Sequence, residues 1–312
     1  MDPKIAIILC THNGQEFLIH QLNSIKSQTY KNFDLFISDD CSSDETQEIL
    51  RNFKFINKDK NIRILKGPNL GFAKNFLYTL KEVYSGNFGS YDFYAFSDQD
   101  DVWDEDKLEH SLNMIYLSEK KQFILYCGRT RYINQNGKTI GLSPRFIKKP
   151  SLKNALVQSI AGGNTMLLDA EVASLMTKID LNLEIISHDW LIYLIVAYCD
   201  GNVIYDDLPK ISYRQHNKNL IGSNRGYVNR LKRIIGLMNG SFKLWVNLNI
   251  LQLHYFDALA NKHNQLILSN FILTSSSSII ERLNGLVRSG VYRQTFLSNL
   301  ALWLATILRK IL

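Results

Sequence analysis

The first hundred residues alternate short apolar runs with stretches whose apolar residues have helical spacing. Four apolar runs are typical of buried strands: Ile5–Leu9, Phe33–Ser38, Ile62–Leu65 and Tyr91–Phe96. The stretches between them predict helices: one carrying Leu18, Leu22 and Ile25, one near Asp44–Phe53 and one near Phe72–Val83. Because strands and helices alternate, we predict an α/β fold with a mostly parallel sheet flanked by helices.

Beyond residue 100 the pattern is less regular. The stretch 130–150 is loop-rich, with a hairpin turn at Asn134–Gly137, and the stretch 159–167 is a glycine turn that enters a strand. A buried helix is predicted over Trp190–Tyr198, followed by strands near 203–205 and 210–214. From residue 226 the pattern is helical. With 312 residues, 46% of them hydrophobic, the chain has material for a catalytic domain over 1–225 and a helical region over 226–312.

A polar cluster follows each of the first four predicted strands: Thr11–Gly14, Ser38–Asp44, Gly67–Gly71 and Asp98–Asp101. Loops are often polar, so a single cluster carries little information. In parallel sheets, however, ligands bind at the carboxyl ends of the strands. Four clusters at one edge therefore indicate a binding site.

The fourth cluster lies in the sequence Ser97-Asp98-Gln99-Asp100-Asp101-Val102-Trp103. Carboxylates that leave one backbone turn together suit a hard cation such as Mg²⁺ or Mn²⁺, which keeps open positions for phosphate oxygens. The alternative is an Asp-rich turn in which Asp104 caps a helix beginning near Glu105. That alternative leaves three aspartates unexplained.

Seven motifs in order resemble the inverting family 2 glycosyltransferases, which have the GT-A fold. The resemblance spans roughly residues 4–225 and rests on these segments: Thr11–Asn13, Asp39–Asp44, Asn69–Asn75, Ser97–Asp101, Gly162–Thr165, His188–Trp190 and Tyr213–His216. The last two and the acidic motif are similar to the bacterial rhamnosyltransferase-like branch of polysaccharide assembly. Three residues depart from the family pattern: Cys41 replaces a common Gly, Lys74 a common Arg, and His188 a common acid.

The resemblance implies how a nucleotide donor is held. Thr11 and Asn13 would line the nucleotide pocket, and Asp39 would accept the pyrimidine N3–H. Lys74 would face the diphosphate or the pyrimidine. The alternatives are a capping role for the Asp/Ser cluster, in which Ser42 lies three residues before Glu45, and a solvated helix lysine for Lys74.

The acidic motif would complete the donor site. Asp98 and Gln99 would contact the donor ribose or sugar, and Asp100 would bind the Mg²⁺ or Mn²⁺ directly. Asp101 would orient the loop. His216, after the last predicted strand, would supply a second ligand to the metal or a contact to the diphosphate, although a lone His is usually structural.

The residues implied on the acceptor side follow the glycine turn. Asp189, at the start of the buried helix, would be the general base, because a partly desolvated carboxylate has a raised pKa. An N-cap aspartate is the alternative, and there the helix N-terminus would lower the pKa. The glycine turn would admit an acceptor close to the backbone. For Trp190 the alternative is a place in the core. The resemblance implies four acceptor or sugar contacts: Gly163, Asn164, Trp190 and Arg214.

Positive charge is concentrated in the C-terminal part of the chain. Residues 225–312 contain eleven Lys or Arg and two acids, which gives this segment a net charge of +9. The whole chain has a net charge of +7, so residues 1–224 carry −2. The last stretch, 296–312, is too short and polar for a confident membrane span. A basic helix with Trp and Leu on its apolar side suits an anionic bilayer. The alternative is a helical subdomain that packs on the catalytic domain or on a second copy in a homodimer.

The location follows from the termini and the cysteines. Only five apolar residues follow the N-terminal Met1-Asp2-Pro3-Lys4, too few for a signal peptide. The four cysteines, Cys10, Cys41, Cys127 and Cys199, have no metal-ligand spacing, and we expect buried, reduced thiols. We therefore expect a cytoplasmic protein at the inner face of the cell membrane.

The expected function is a metal-dependent inverting glycosyltransferase. The donor would be a dTDP- or UDP-linked sugar, and the acceptor would be a glycan or a lipid-linked glycan. The resemblance implies rhamnose as the sugar. One alternative, a sugar nucleotidyltransferase, needs a glycine-rich basic loop after the first strand, where this chain has Thr11–Glu16. The other is a non-enzymatic receiver-like or basic binding protein. A receiver places its acid pair after the first strand, and the C-terminal region lacks the aromatic–basic interleaving that stacks nucleic-acid bases.

Overall fold

The computed structural model describes residues 2–86, 88–216 and 240–312. Its strands are β1 (Ile5–Thr11), β2 (Phe33–Asp39), β3 (Ile62–Lys66), β4 (Phe93–Ser97), β5 (Val102–Trp103), β6 (Ile124–Gly128), β7 (Arg131–Ile133), β8 (Thr139–Leu142), β9 (Leu167–Asp169), β10 (Asn202–Asp206) and β11 (Ile211–Arg214). Its helices are α1 (Leu18–Lys26), α2 (Thr46–Ile56), α3 (Phe72–Ser85), α4 (Lys107–Tyr116), α5 (Leu152–Ala155), α6 (Ala170–Met176), α7 (His188–Tyr198), α8 (Ser241–Leu253), α9 (Lys262–Ile272), α10 (Ile279–Ser289) and α11 (Phe296–Ile307).

The described residues form a main sheet of seven strands in the order β10-β6-β9-β4-β1-β2-β3. Strand β1 runs parallel to β2 and β4, β2 parallel to β3, and β10 parallel to β6. Only β9 runs against its neighbours, between β4 and β6. The predicted mostly parallel α/β sheet is confirmed.

Helices cover both faces of this sheet. Ala6 and Ile8 of β1 point into one apolar cluster, which includes Phe76 of α3. Ile7 points into the other cluster, which includes Leu22 of α1. The split follows from the two-residue period of a strand, which sends alternate side chains to opposite faces.

A second, four-stranded sheet has the order β5-β11-β7-β8. Its first strand directly follows the acidic motif, and β11 ends at Arg214. Between β7 and β8 lies the predicted hairpin turn, where Gly137 has φ +80° and the Asn134 N–H donates to the Lys138 carbonyl. This small sheet brings a distant part of the chain to the acidic motif.

The C-terminal helices share an apolar cluster with the catalytic part. Phe242 and Val246 of α8 and Phe271 of α9 belong to the cluster that contains Leu191 of α7. The predicted boundary at residues 225 and 226 lies outside the described residues, so the division into two regions stays a prediction. Within the described part of the chain, no helix has the length and apolarity needed to cross a membrane.

Two local expectations are wrong. Asp104 does not cap α4: its carboxylate accepts two hydrogen bonds from the Arg131 guanidinium, at 2.9 and 3.1 Å. Cys41 is exposed, whereas the other three cysteines are buried. Its φ of +65° lies in the left-handed region that favours glycine. The turn therefore explains why the resembling family often has glycine at this position.

Candidate active site

The pairing register places the ends of the first four parallel strands at one edge of the sheet. Thr11 lies opposite Asp39, and Asp39 opposite Lys66. On the other side of β1, Leu9 lies opposite Ser97. The four polar clusters predicted to converge therefore do so.

Gln99 joins the loop after β1 to the acidic motif. Its Oε1 accepts hydrogen bonds from the Thr11 hydroxyl at 2.6 Å and from the His12 N–H at 2.8 Å. Its Nε2 donates to the His12 carbonyl at 3.2 Å. Gln99 and Thr11, both predicted to contact the donor, are thus brought together, and Gln99 fixes the spacing between the two loops.

Asn13 and Asp39 lie on the next pair of loops. The N–H of Asn13 donates to Ser42 Oγ at 2.8 Å, and its Oδ1 accepts from the Ser43 N–H at 2.8 Å. Asp39, 4% exposed, accepts from the Ser42 hydroxyl and from Gln47 Nε2 at 2.9 Å. These contacts hold both predicted nucleotide residues at one end of the sheet edge.

The capping role expected for this cluster belongs to Asp44. Its Oδ1 accepts from the Thr46 N–H at 3.0 Å, at the first residue of α2, and its Oδ2 accepts from the Gln15 N–H at 3.2 Å. Partial burial raises the pKa of the Asp44 carboxyl, but hydrogen bonds from Thr46 and Gln15 outweigh this effect, and the pKa is lowered. Asp39 is therefore not needed as a cap.

Asp40 organises the third loop, a role the sequence interpretation missed. Its two carboxylate oxygens accept from the Asn69 N–H at 2.6 Å and from the Gly71 N–H at 3.1 Å. The sequence could have indicated this role, because Asp39 and Asp40 are neighbours at a strand end, where successive side chains point to opposite sides. Lys74 follows on the first turn of α3 and is half-buried.

Asp98 and Asp101 are carboxyls in a desolvated, acidic environment. Burial, followed by the nearby charges of Asp100 and Asp189, raises the pKa of Asp98 to about 8. Asp101 is fully buried and accepts from Asn164 Nδ2 at 2.5 Å. Burial also raises the pKa of Asp101 well above its usual range. The motif therefore holds two carboxyl groups in a desolvated environment.

Asp100 meets His216 across the site. His216 Nε2 lies 2.7 Å from Asp100 Oδ2, and both side chains are largely buried. The Phe17 ring packs beside the imidazole, with 5.0 Å between ring centroids. The two residues predicted to bind metal are thus adjacent.

The donor chemistry of this pair fits a divalent cation. A carboxylate and an imidazole are suitable ligands for Mn²⁺, and a carboxylate suits Mg²⁺. Within the described ranges no group of three or more His, Cys, Asp or Glu side chains is arranged to hold an ion. A site with two protein ligands leaves the other positions to phosphate oxygens and water.

Arg214 holds the second sheet to the acidic motif. Its backbone N–H donates to Asp101 at 3.3 Å, and its Nε donates to the Asp100 carbonyl at 2.9 Å. Its Nη1 donates to the Gln135 carbonyl at 2.8 Å, and the side chain is 3% exposed. The structure therefore places Arg214 beneath the loops, and its contact with a sugar stays a prediction.

Asp189 lies in the first turn of α7, and Ser187 is the N-cap residue. Its Oδ1 accepts from the Trp190 N–H at 2.6 Å and from the Ser187 hydroxyl. Burial raises the pKa of Asp189 to about 6, although hydrogen bonds from the backbone of Trp190 and Gly163 oppose the shift. Desolvation thus outweighs the helix N-terminus, which is the condition a general base requires.

His188 is buried beneath the glycine turn. Its ring stacks on Phe76 at 4.3 Å between centroids, and burial lowers its pKa to about 3. A Cβ atom added to Gly163 would lie 2.1 Å from His188 Nε2. The histidine ring therefore requires glycine at position 163, and the approach of an acceptor to this backbone stays a prediction.

Trp190 lies in the core. Its Nε1 donates to the Ala155 carbonyl at 2.7 Å, its ring stacks on Phe242 at 5.9 Å between centroids, and it is 6% exposed. This placement agrees with the core alternative, and stacking on a sugar stays a prediction. Asn164 is also buried, with its amide on Asp101.

A buried lysine beneath the acidic motif was missed. Lys107 is 1% exposed, its Nζ lies 3.5 Å from the centroid of the Trp103 ring, and burial lowers its pKa to about 7. The charge of Asp101 opposes this shift. The signal was present, because position 107 lies on the helical stripe that Leu108, Ser111 and Leu112 define.

A family model described as Glycosyl transferase family 2 matches residues 6–179. The dTDP-rhamnosyl transferase RfbG of Shigella flexneri is 27% identical over 239 residues, which cover 72% of this chain and 78% of the relative. The matched family contradicts both alternatives, a nucleotidyltransferase and a non-enzymatic binding protein.

Two solved structures share the fold. The crystal structure of S. aureus TarS 1–349 in complex with UDP-GlcNAc has a TM-score of 0.51 and 18% identity, covering 91% of this chain and 79% of that one. The mannosyltransferase PcManGT from Pyrobaculum calidifontis in complex with GDP-Man and Mn²⁺ has a TM-score of 0.50 and 13% identity, with coverages of 99% and 84%. The architecture is thus the GT-A fold. Since the family model matches more than half of the chain, the protein belongs to glycosyl transferase family 2 and is a glycosyltransferase.

Proposed function

We propose that the protein is a metal-dependent inverting glycosyltransferase that moves a sugar from a nucleoside diphosphate to a hydroxyl of a bacterial surface polysaccharide or its lipid-linked precursor. One observation carries the proposal: Asn164 Nδ2 donates to Asp101 of the acidic motif at 2.5 Å, and the neighbouring Gly163 N–H bonds to Asp189, so the candidate base and the donor loop adjoin one site. Transfer needs a held nucleotide, a neutralised leaving group and a deprotonated acceptor, and each has candidate residues at this edge.

The nucleotide would bind along the loops after β1 and β2. Thr11 and Asn13 would line its pocket, and Asp39 would accept the N3–H of a pyrimidine. Lys74, near the N-terminus of α3, would add positive charge beside the diphosphate. Asp98 and Gln99 would contact the ribose or the sugar, with Gln99 holding the loops at a fixed spacing.

Asp100 and His216 would hold the Mg²⁺ or Mn²⁺. The bound ion would neutralise the charge that develops on the departing nucleoside diphosphate. The 2.7 Å approach of His216 Nε2 to Asp100 Oδ2 supports the proposal, because it brings two metal-ligating groups together at the sheet edge. The Mn²⁺ in the PcManGT complex gives further support.

Asp189 would remove the proton of the acceptor hydroxyl. In an inverting displacement the acceptor oxygen attacks the anomeric carbon from the face opposite the leaving group. A carboxylate with a pKa of about 6 is mostly ionised at pH 7 and still a stronger base than an exposed aspartate. Asn164 and Gly163, on the adjoining turn, would lie along the acceptor side of the pocket.

The donor we favour is dTDP-rhamnose, with a UDP-linked sugar second. The first choice is supported by the relative RfbG, which is named a dTDP-rhamnosyl transferase. The second is supported by TarS, which has the same fold and was crystallised with UDP-GlcNAc. The test is thermal stabilisation and transfer with dTDP-rhamnose and common UDP-sugars, each with and without Mg²⁺ or Mn²⁺. We expect stabilisation by one of these donors that depends on the cation. Lack of stabilisation by every nucleotide in the presence of either cation would contradict the proposal.

We place the enzyme in the cytoplasm at the inner face of the cell membrane, where a lipid-linked acceptor is available. The motifs give no role to nucleic acid. We expect the C-terminal region to contact either a membrane surface or a second copy of the chain. The exposed residues of the last helices help to distinguish these two partners.

A further inference from the structure

Helix α11 exposes an apolar face to solvent. The exposed fractions are 82% for Phe296, 62% for Leu297, 51% for Leu300, 43% for Trp303, 49% for Leu304, 38% for Ile307 and 50% for Leu308. We call these seven residues the α11 face. Their spacing of three, four or one residues places them along one side of the helix, while Ala301 and Ala305 are buried on the other side. A large exposed apolar patch of this kind marks a site of interaction.

Basic groups cluster at the C-terminal end of this face. Lys243 Nζ donates to the main-chain oxygen of Leu312 at 2.5 Å, which places this lysine beside the segment that carries Arg309 and Lys310. Arg309 Nε also donates to the Ser275 carbonyl at 3.2 Å, which anchors this end of α11 beside the turn that follows α9. The α11 face therefore combines apolar side chains with adjacent positive charge.

Acidic groups are scarce around the face. Residues 240–312 contain two acids, Asp257 and Glu281. Asp257 accepts from the Tyr198 hydroxyl at 2.6 Å, and Glu281 accepts from the Ser276 hydroxyl. A second copy docked on this face in either direction would bring positive charge without a matching acid. Anionic lipid headgroups supply the missing charge.

We propose that the α11 face lies in the interfacial layer of an anionic lipid bilayer, with Lys243, Arg309 and Lys310 on the headgroups. A helix of this length lies in the membrane plane and does not span it. The apolar side chains enter the boundary between headgroups and acyl chains, and Trp303 is a residue type favoured at that depth. This surface does not depend on the identity of the donor or acceptor.

The surface is linked to the candidate active site by a short chain of contacts. Trp190, next to Asp189, stacks on Phe242, and the Arg293 guanidinium lies 5.4 Å from the centroid of the Phe242 ring. The Arg293 N–H donates to Asn299 Oδ1 of α11 at 2.8 Å. Binding through α11 would hold the acceptor side of the site close to the bilayer, which suits a lipid-linked substrate.

Vesicle co-sedimentation of the full chain tests the surface. We expect binding to phosphatidylcholine vesicles that contain phosphatidylglycerol and little binding to pure phosphatidylcholine. Leu300→Ser with Leu304→Ser should lower the partition coefficient at least about tenfold, because each leucine loses its apolar burial in the bilayer. The matched control is Ile56→Ser with Leu117→Ser, two residues that are 73% and 84% exposed outside the C-terminal helices. This pair should bind like the unmodified chain.

A second variant keeps the test independent of the apolar residues. Arg309→Glu with Lys310→Glu should remove the preference for anionic vesicles. Donor hydrolysis without vesicles should be unchanged in each variant, which separates a failure of this surface from a failure of the proposed activity. Equal binding to neutral and anionic vesicles, or unchanged binding of the Leu300→Ser, Leu304→Ser variant, would overturn the proposal. So would a homodimer in light scattering that this variant dissociates.

Discussion

His216 Nε2 lies 2.7 Å from Asp100 Oδ2, although 116 residues separate the two along the chain. Strand β11 makes this contact possible, because it pairs with β5 directly after the acidic motif. The carboxylate comes from the main sheet edge and the imidazole from the end of the second sheet. A cation site built in this way depends on both sheets being in register.

We expect Asp100→Asn and His216→Gln each to lower the apparent metal affinity, measured through nucleotide binding, by at least the roughly 10–100-fold that loss of an outer-shell partner costs. The physical reason is the loss of one of two protein ligands. The measurement is a Mn²⁺ titration of nucleotide binding. His110→Gln is the control, since His110 Nε2 makes a similar 2.6 Å contact with Asp206 away from the motif. An unchanged titration in both site variants would rule out this pair as ligands.

Asp189→Asn should lower kcat about 10²–10⁴-fold, because the amide cannot accept the acceptor proton. Donor affinity should remain close to that of the unmodified enzyme. Transfer assays and nucleotide titrations measure the two effects separately. The matched control is Asp200→Asn just beyond the other end of α7, where φ is +59° and asparagine is well tolerated. If Asp189→Asn lost donor binding instead, the base assignment would be wrong.

The transfer rate should fall as the pH decreases through about 6, the pKa of Asp189. Below that value the carboxyl is protonated and kcat should drop about tenfold per pH unit. The raised pKa also means that the folded state binds more protons than the unfolded state between roughly pH 4 and 6. The protonated Asp189 carboxyl therefore adds to the free energy of unfolding at low pH, and this contribution is lost as the pH rises through the pKa of the folded state.

The pH profile of kcat and the pH dependence of unfolding check both statements. The stability of Asp189→Asn should decline less between roughly pH 4 and 6 than that of the unmodified chain. A kcat profile that stays flat down to pH 4 would argue against an ionised Asp189 in the reaction.

Gly163→Ala should destabilise the fold, because the new Cβ would meet His188 Nε2 at 2.1 Å and the ring is held against Phe76. In a His188→Ala background the same change should cost less, with a coupling of about 1–3 kcal/mol. Chemical denaturation of the single and double variants measures it. Additive effects would show that the ring and the turn are energetically independent.

Cys41→Gly should stabilise the protein by up to about 1 kcal/mol, since φ at this position is +65° and glycine adopts that conformation without strain. Cys41→Val should destabilise it, because a branched Cβ fits the left-handed region poorly. Thermal unfolding of the two variants tests the contrast. A stability order with Val above Gly would contradict the turn geometry.

The parts of the site that follow local pattern could be predicted from the sequence. The apolar runs set the strands, and the polar residues at their ends set which side chains share an edge. This was sufficient to place Thr11, Asp39 and Asp98 together. The motif order also indicated the family, which the family model confirms.

Several side chains took roles that pattern does not reveal. Trp190 and Arg214 each donate a hydrogen bond to a backbone carbonyl far away in the chain, and Asp104 pairs with Arg131 where a helix cap was expected. Lys107 was overlooked although it lies beneath the acidic motif. Each of these outcomes depends on a partner far away in the chain.

The sequence by itself determined the alternation of strands and helices, the edge at which ligands bind and the type of chemistry there. Periodicity reports which backbone conformation buries apolar surface, and strand ends mark where polar groups are left. Only the tertiary structure decided that Asp100 meets His216, that Asn164 meets Asp101 and that Gly163 must clear His188. These contacts arise when separate elements pack at close range, where side-chain shape and desolvation select the partner.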